Sequence, residues 1–288
     1  MKANIIETIT NDMVNSINEH GTSWLKNWVG DSAMPHNMCS KKNYTGFNFL
    51  ILASKHMTSG TWATLNQYKQ ANIRIRYDEM PNATEIIYFK MLESKTETNP
   101  NGSAKKFPLL KKYRVWNLSQ SEDYIPEIKE VEKFNHSLAE EYIKNTGAII
   151  NHGGNRAFYQ SATDQITMPP KASFIKTIDA TAEQNYYGTL FHELTHWTGH
   201  KTRCDRTLAN GFGTEAYAYE ELIAELGACF QSVEFGIEPL EINADHKKYI
   251  ASWLKALKGD VSFIYKASAQ ANKAVRLIEE LQVEEKVA

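Results

Sequence analysis

The sequence predicts an α+β protein: a small front part mixing helices with a short antiparallel sheet, then a mainly helical back part that also carries a short antiparallel sheet. Three observations lead there. β-type runs at 85–90 and 110–117 lie among helix-like segments in the first 125 residues. Apolar residues recur at helical spacing through most of the second half, notably over 182–198 and 215–230. And 288 residues with 42% hydrophobic content suffice for a full core and two domains, expected here as 1–125 and 126–288.

In order, residues 4–20 space Ile5, Ile9, Met13 and Ile17 as an amphipathic helix. An aromatic, turn-rich stretch with Trp24, Trp28, Pro35 and Asn37 follows, then an apolar helix over about 48–58. Trp62, Leu65 and Tyr68 suggest another short helix. Strands are expected at 73–77, 85–90 and 110–117, with the polar stretch 94–107 a mobile loop between the last two. The charged, proline-containing stretch 119–132 is the expected linker. Beyond it come a helix over 133–146, a strand at 148–151, and a hairpin over 157–168 that turns near Thr163 and Asp164. Strand 166–168 is the candidate sheet edge along which a substrate could add. Helices over about 243–258 and 260–283 close the chain.

The most constraining string is His-Glu-Leu-Thr-His at 192–196. Thr181 and Glu183 read as a helix start before it, and Gly199 suits the left-handed position that ends a helix. On a helix, His192 and His196 point from one face and can share a metal ion, with Glu193 beside the water that such an ion activates. Two imidazoles need a third ligand, and the helix at 215–230 offers Glu220, Glu221 and Glu225. Glu221 is the preferred ligand. Glu225, one turn on, is the group that orients the first histidine, with the two roles exchangeable. Glu220 faces another side and is expected in solvent. His200 is a further alternative ligand, although the glycine before it breaks the helix that would bring it round. The chemistry expected is metal-assisted hydrolysis of a peptide bond, with Glu193 as proton carrier. One divalent ion is implied, by default Zn²⁺, with Mn²⁺ or another divalent ion able to take the same ligands. His200 or Tyr159 could assist on the substrate side.

Composition sets further bounds. No run of eighteen apolar residues is present, so no membrane partner is expected. The N-terminus lacks the apolar centre of a signal peptide, and Cys39, Cys204 and Cys229 lack metal-type spacing; both fit a reducing cytoplasm. Net charge is −2, but 1–125 carries +4 and the remainder −6, a pointer to an anionic partner for the front. Cations interleave with aromatics there, and the segment Lys41-Lys-Asn-Tyr-Thr-Gly-Phe-Asn48 presents both together. Such pairing suits single-stranded nucleic acid, whose phosphates seek cations and whose bases seek aromatic faces. Buried aromatics and solvated lysines would give the same composition. The candidate residues are Trp24, Lys41, Lys42, Tyr44, Asn48 and Lys69.

These blocks together resemble the ArdC-type antirestriction family. In front the resemblance rests on Pro35-His-Asn37, Tyr44-Thr-Gly-Phe-Asn48, Trp62-Ala-Thr64, Ile87-Tyr-Phe-Lys90 and Tyr113-Arg-Val-Trp-Asn117. Behind, it rests on Asp164-Gln-Ile-Thr-Met-Pro169, Phe191 through His200, Tyr219 through Ala228, and Tyr249 through Leu257. One departure is that 73–80 lacks a glycine-rich turn often found in the family. The resemblance implies a single-stranded-DNA-binding domain ahead of a zincin-like metallopeptidase domain, and protection of incoming DNA from restriction. It also implies a protein substrate, for which a restriction-system component is one candidate. Two other readings remain open: a DNA-binding protein with a structural or vestigial metal site, and a metallopeptidase whose front domain docks protein substrates.

Overall fold

A computed structural model describes residues 5–29, 34–122, 124–126, 134–177, 180–208, 214–237 and 247–282. It divides the chain into two compact units that do not coincide with a single break at 125. The larger holds residues 1–31, 45–50 and 128–288, and the smaller holds 32–44 and 51–127. The physical reason lies in the first helices. Helix α1 (Ile5–His20) buries Ile9, Met13 and Ile17, and Thr10 donates to the carbonyl of Val261 at 2.7 Å, far along the chain. Helix α2 (Trp24–Val29) buries Trp24 and Trp28, whose indole donates to the Leu50 carbonyl at 3.0 Å. Among its described residues the predicted linker takes part in a 3₁₀ turn at Leu118–Gln120; residue 123 and the stretch from 127 to 132 lie outside the described residues.

The smaller unit is built on a four-stranded sheet. Strands β1 (His36–Asn37), β2 (Thr61–Ala63), β3 (Thr84–Thr98) and β4 (Ala104–Asn117) take the order β1-β2-β4-β3, with β1 and β2 parallel and the other pairs antiparallel. Helix α3 (Gly46–Ala53) begins in the larger unit and is shorter than the helix expected at 48–58. Helix α4 (Leu65–Gln70) starts where Thr64 and Gln67 satisfy each other's backbone amides, a reciprocal cap. Trp62, expected in a helix with Leu65 and Tyr68, lies instead in β2, paired with Asn117 of β4. Two further elements differ. The stretch 94–107 is not a loop: β3 and β4 run through it as a paired ribbon that turns at 99–103. Nor is 73–77 a strand; Ile75 makes one isolated bridge to Ser121, and Tyr77–Glu79 is a 3₁₀ turn.

In the larger unit, α5 (His136–Lys144) precedes a sheet of β5 (Ile149–His152), β6 (Phe158–Gln160) and β7 (Gln165–Met168). Its order is β5-β7-β6, with β5 parallel and β6 antiparallel to β7. Strand 166–168 is therefore central rather than an edge, because β5 pairs on its far side. Helix α6 (Ala182–Thr198) packs on β6 and β7 and against α7 (Glu215–Glu234), which α8 (Lys247–Gly259) and α9 (Phe263–Leu281) back in turn. Positions 243–246 of the helix expected before residue 258 lie outside the described residues. Ile143, Ile166, Met168, Tyr187, Phe191, Leu194 and Ile278 share one buried core beneath α6. No helix among the described residues is long and apolar enough to cross a membrane.

Candidate metal centre

Helix α6 forms because the chain starts it well. Thr181 accepts from the Gln184 amide at 3.1 Å, and the Gln184 side chain accepts from the Thr181 amide at 2.8 Å. Its apolar face then buries Tyr187, Phe191 and Leu194, while His192 and His196 meet glutamates of α7. Two contacts fix the spacing of these helices. A Cβ on Gly227 of α7 would lie 2.5 Å from Thr195 Cγ2 and 2.6 Å from its Oγ1, so only glycine permits this approach. Beside it, the buried Gln231 amide donates to Thr195 Oγ1 at 3.1 Å and to the Phe191 carbonyl at 3.3 Å, tying α7 to α6.

That approach gathers His192, His196 and Glu221, whose ligand atoms all lie within 4.8 Å of one another. His192 Nε2 and His196 Nε2 are 3.1 Å apart, and each is 3.6 or 3.7 Å from an oxygen of Glu221. Ligands about 2.0–2.2 Å from a tetrahedral zinc stand about 3.3–3.5 Å from one another, so the three donors have the right spacing for one ion. Both imidazoles turn Nε2 inward and Nδ1 outward, each Nδ1 toward a glutamate. His192 Nδ1 faces Glu225 at 3.6 Å, and Glu225 lies outside the three-donor cluster. Glu193 is buried on α6 immediately after the first histidine.

The carboxylates also set the charge state of the histidines. Burial alone would push the pKa of His192 down, but Glu225, Glu221 and Glu193 more than offset it and hold it at about 10. His196 is likewise raised against burial, chiefly by its hydrogen bond with Glu220. A cation among these donors would take the place of protons in neutralising the carboxylates.

Glu220 departs from expectation. Far from solvated, it is only 7% exposed and takes the Nδ1 side of His196 at 3.1 Å. Its counter-charge is Arg206, whose Nε and Nη2 each donate to it at 2.9 Å. The same guanidinium donates to the Thr195 carbonyl at 2.7 Å and to Thr198 Oγ1 at 2.9 Å, closing the end of α6. Burial favours the neutral acid, but hydrogen bonds from His196 and Arg206 keep the Glu220 pKa below the usual carboxylate range. Gly199 also serves differently from expectation. Its φ of −74° is right-handed, and the constraint is space, since a Cβ would meet Leu208 at 2.7 Å and Arg206 at 3.0 Å. Arg206 and Glu220 were legible only in outline: adjacent glutamates in an apolar helix call for a buried cation, but the loop that returns it leaves no periodic signal.

This arrangement gives a prediction. Glu220→Gln keeps an oxygen for His196 but removes the charge that balances Arg206. Divalent-metal affinity is expected to fall about 10–100-fold, read by competition with a chromogenic chelator.

The other candidates lie apart. His200 sits in the turn after α6, its Nδ1 2.8 Å from Thr202 Oγ1, and is outside the ligand cluster. The Tyr159 hydroxyl donates to Asp164 at 2.8 Å, and Arg203 holds Asp164 while its guanidinium stacks 3.8 Å over the Trp197 ring. Tyr159 thus ties β6 to the end of α6, with its hydroxyl already committed. Trp24 is fully buried, so it cannot stack on a base. Lys41, Lys42 and Lys69 are exposed, and Tyr44 and Asn48 are partly buried. Asn37, Tyr44 and Gln67 join through side-chain bonds of 3.2 and 3.4 Å behind the Lys41–Lys42 turn.

Family models break the chain once, between residues 116 and 137, and the front one spans parts of both compact units. A family model described as a zincin-like metallopeptidase matches residues 137–270, and one described as the N-terminal domain of the anti-restriction factor ArdC matches 3–116. The DNA primase TraC of Escherichia coli is 33% identical over 97% of this chain, which spans only 28% of that relative's length. Protein y4eC of Sinorhizobium fredii strain NGR234 is 30% identical over 93% of the chain and 89% of its own length. The crystal structure of the antirestriction protein ArdC from plasmid R388 covers 98% of this chain and 99% of its own at 33% identity, with a TM-score of 0.76. Its Mn(II)-bound form matches with a TM-score of 0.75.

Proposed function

This chain belongs to the ArdC antirestriction family, and from that premise we propose that it binds single-stranded DNA and hydrolyses peptide bonds at a divalent-metal site, protecting incoming DNA from restriction. The observation that carries the hydrolytic reading is the convergence of His192, His196 and Glu221 with Glu193 buried beside them. His192, His196 and Glu221 hold the ion, Zn²⁺ or the Mn²⁺ that the R388 ArdC structure binds. When bound, such an ion supplies Lewis acidity and makes water a nucleophile at neutral pH. Glu193 takes the proton from the attacking water and returns it to the departing amine. Glu220 and Glu225 keep the imidazole Nδ1 atoms engaged, so that Nε2 of each ring stays directed at the ion. The open edge β6, tied to the end of α6 through Tyr159, Asp164 and Arg203, is where an extended substrate adds as a strand. Lys41, Lys42 and Lys69 contribute phosphate contacts in the smaller unit. The substrate is a protein, with a restriction-system component as the first candidate.

A metal-exchange experiment on the full chain tests this reading. Chelator treatment should abolish hydrolysis of a fluorescent casein, and Zn²⁺ or Mn²⁺ should restore it. Restored metal that raises the melting temperature but supports no hydrolysis would favour a purely structural ion.

A further inference from the structure

The β3–β4 ribbon is more than a connection. Its register places Thr84, Ile86, Tyr88 and their partners Val115, Tyr113 and Lys111 on one face. At the root, Ile86 and Val115 are buried with Leu52 and Trp62, and Tyr44 packs against the same cluster. One step outward the face stops being covered. Tyr88 and Tyr113 are 44% and 43% exposed and meet edge to face, with ring centroids 6.0 Å apart. Lys111, opposite Tyr88, is exposed and has no ion-pair partner among the described residues, whereas Lys112 on the other face pairs with Glu85 at 3.0 Å. From 84 to 117 the chain carries seven Lys and Arg against three Glu.

Exposed aromatic faces adjoining an unpaired cation on a basic ribbon have the chemistry of a base-stacking platform. Bases offer flat faces to the rings, and phosphates offer charge to the lysine. We propose that Tyr88 and Tyr113 stack on successive bases of single-stranded nucleic acid, with Lys111 holding the intervening phosphate. This locates the contact within the single-stranded-DNA reading above and rests on it. Tyr44, two residues after Lys42, packs against the buried Ile86–Val115 cluster at the root of this platform. An acidic protein segment is the competing occupant, but it would need the lysine and not the rings.

The test uses the full chain and a fluorescein-labelled dT12 oligonucleotide, with an abasic 12-mer of equal charge as control. Tyr88→Ile and Tyr113→Ile keep strand propensity but remove the ring faces, and Tyr88→Phe and Tyr113→Phe restore them. Each Ile variant is expected to bind dT12 on the order of tenfold more weakly, each Phe variant to bind like the parent, and the abasic strand to bind all of them alike. Lys111→Gln should reduce the slope of log affinity against log salt by about 0.7. Unchanged dT12 binding by the Ile variants, with their melting temperatures intact, overturns the platform while leaving single-stranded-DNA binding standing. An equal loss on the abasic strand also overturns it, because stacking cannot then be the cause. If the parent chain binds no dT12 at low salt, the broader reading fails and takes this one with it.

Discussion

Glu193→Gln is expected to lower the rate of peptide hydrolysis by about 10²–10⁴-fold, the usual contribution of a positioned general base. The metal content should not change. Glu193 is not among the three donors that converge, and Gln fits the same buried space without a proton-accepting carboxylate. Rate and metal content together therefore separate proton transfer from ion binding. A variant that loses its metal would show instead that Glu193 supports the site electrostatically, while one that keeps both metal and rate would remove it from the chemistry. If antirestriction depends on hydrolysis, protection of transferred DNA falls with the rate.

Gly227→Ala is expected to be the most damaging conservative change in the larger unit. The added methyl would lie within 2.5–2.6 Å of Thr195, on a rigid helix rather than at the end of a flexible side chain. Relief requires α7 to retreat from α6, and overpacking of this kind costs at least about 1–3 kcal/mol. The same retreat carries Glu221 away from His192 and His196, so metal affinity should fall along with thermal stability. Thr195→Ala supplies the compensating partner by removing Oγ1 and Cγ2, the two nearest atoms. On its own it should destabilise, since Thr195 Oγ1 accepts from Gln231 and donates to Phe191. The double variant should melt above the temperature that adding the two single effects gives, with a coupling of about 1 kcal/mol or more. Additive effects would mean that the helices do not meet at this point.

What could be read in advance was local. The His192–His196 spacing and the Glu221–Glu225 pair depend only on the period of a helix, so two short strings name the three donors that converge and the carboxylate that faces His192 Nδ1. The Thr181 cap is likewise a matter of neighbouring residues. Features that depend on returns of the chain were not legible. Glu220 looked solvated because its buried cation, Arg206, arrives from a loop. Strand 166–168 looked like an edge because its parallel partner β5 lies on the other side of the hairpin. The 94–107 ribbon carries no apolar alternation, since both faces of a projecting hairpin can stay wet, and its polarity therefore read as loop. Trp24 shows the limit of composition: an aromatic near lysines looks the same in sequence whether it meets a base or a core. Gly199 and Gly227 admit close neighbours rather than unusual dihedral angles, and no neighbour in sequence reveals that need.

The central claim is that Glu221 completes the metal site. Competition titration with Zn²⁺ on the parent chain, Glu221→Ala and Glu225→Ala tests it most directly. The geometry predicts one tight ion per parent chain, a loss of about 10–100-fold for Glu225→Ala as an orienting group, and a markedly larger loss for Glu221→Ala. Tight binding that survives Glu221→Ala but collapses with Glu225→Ala would contradict the account.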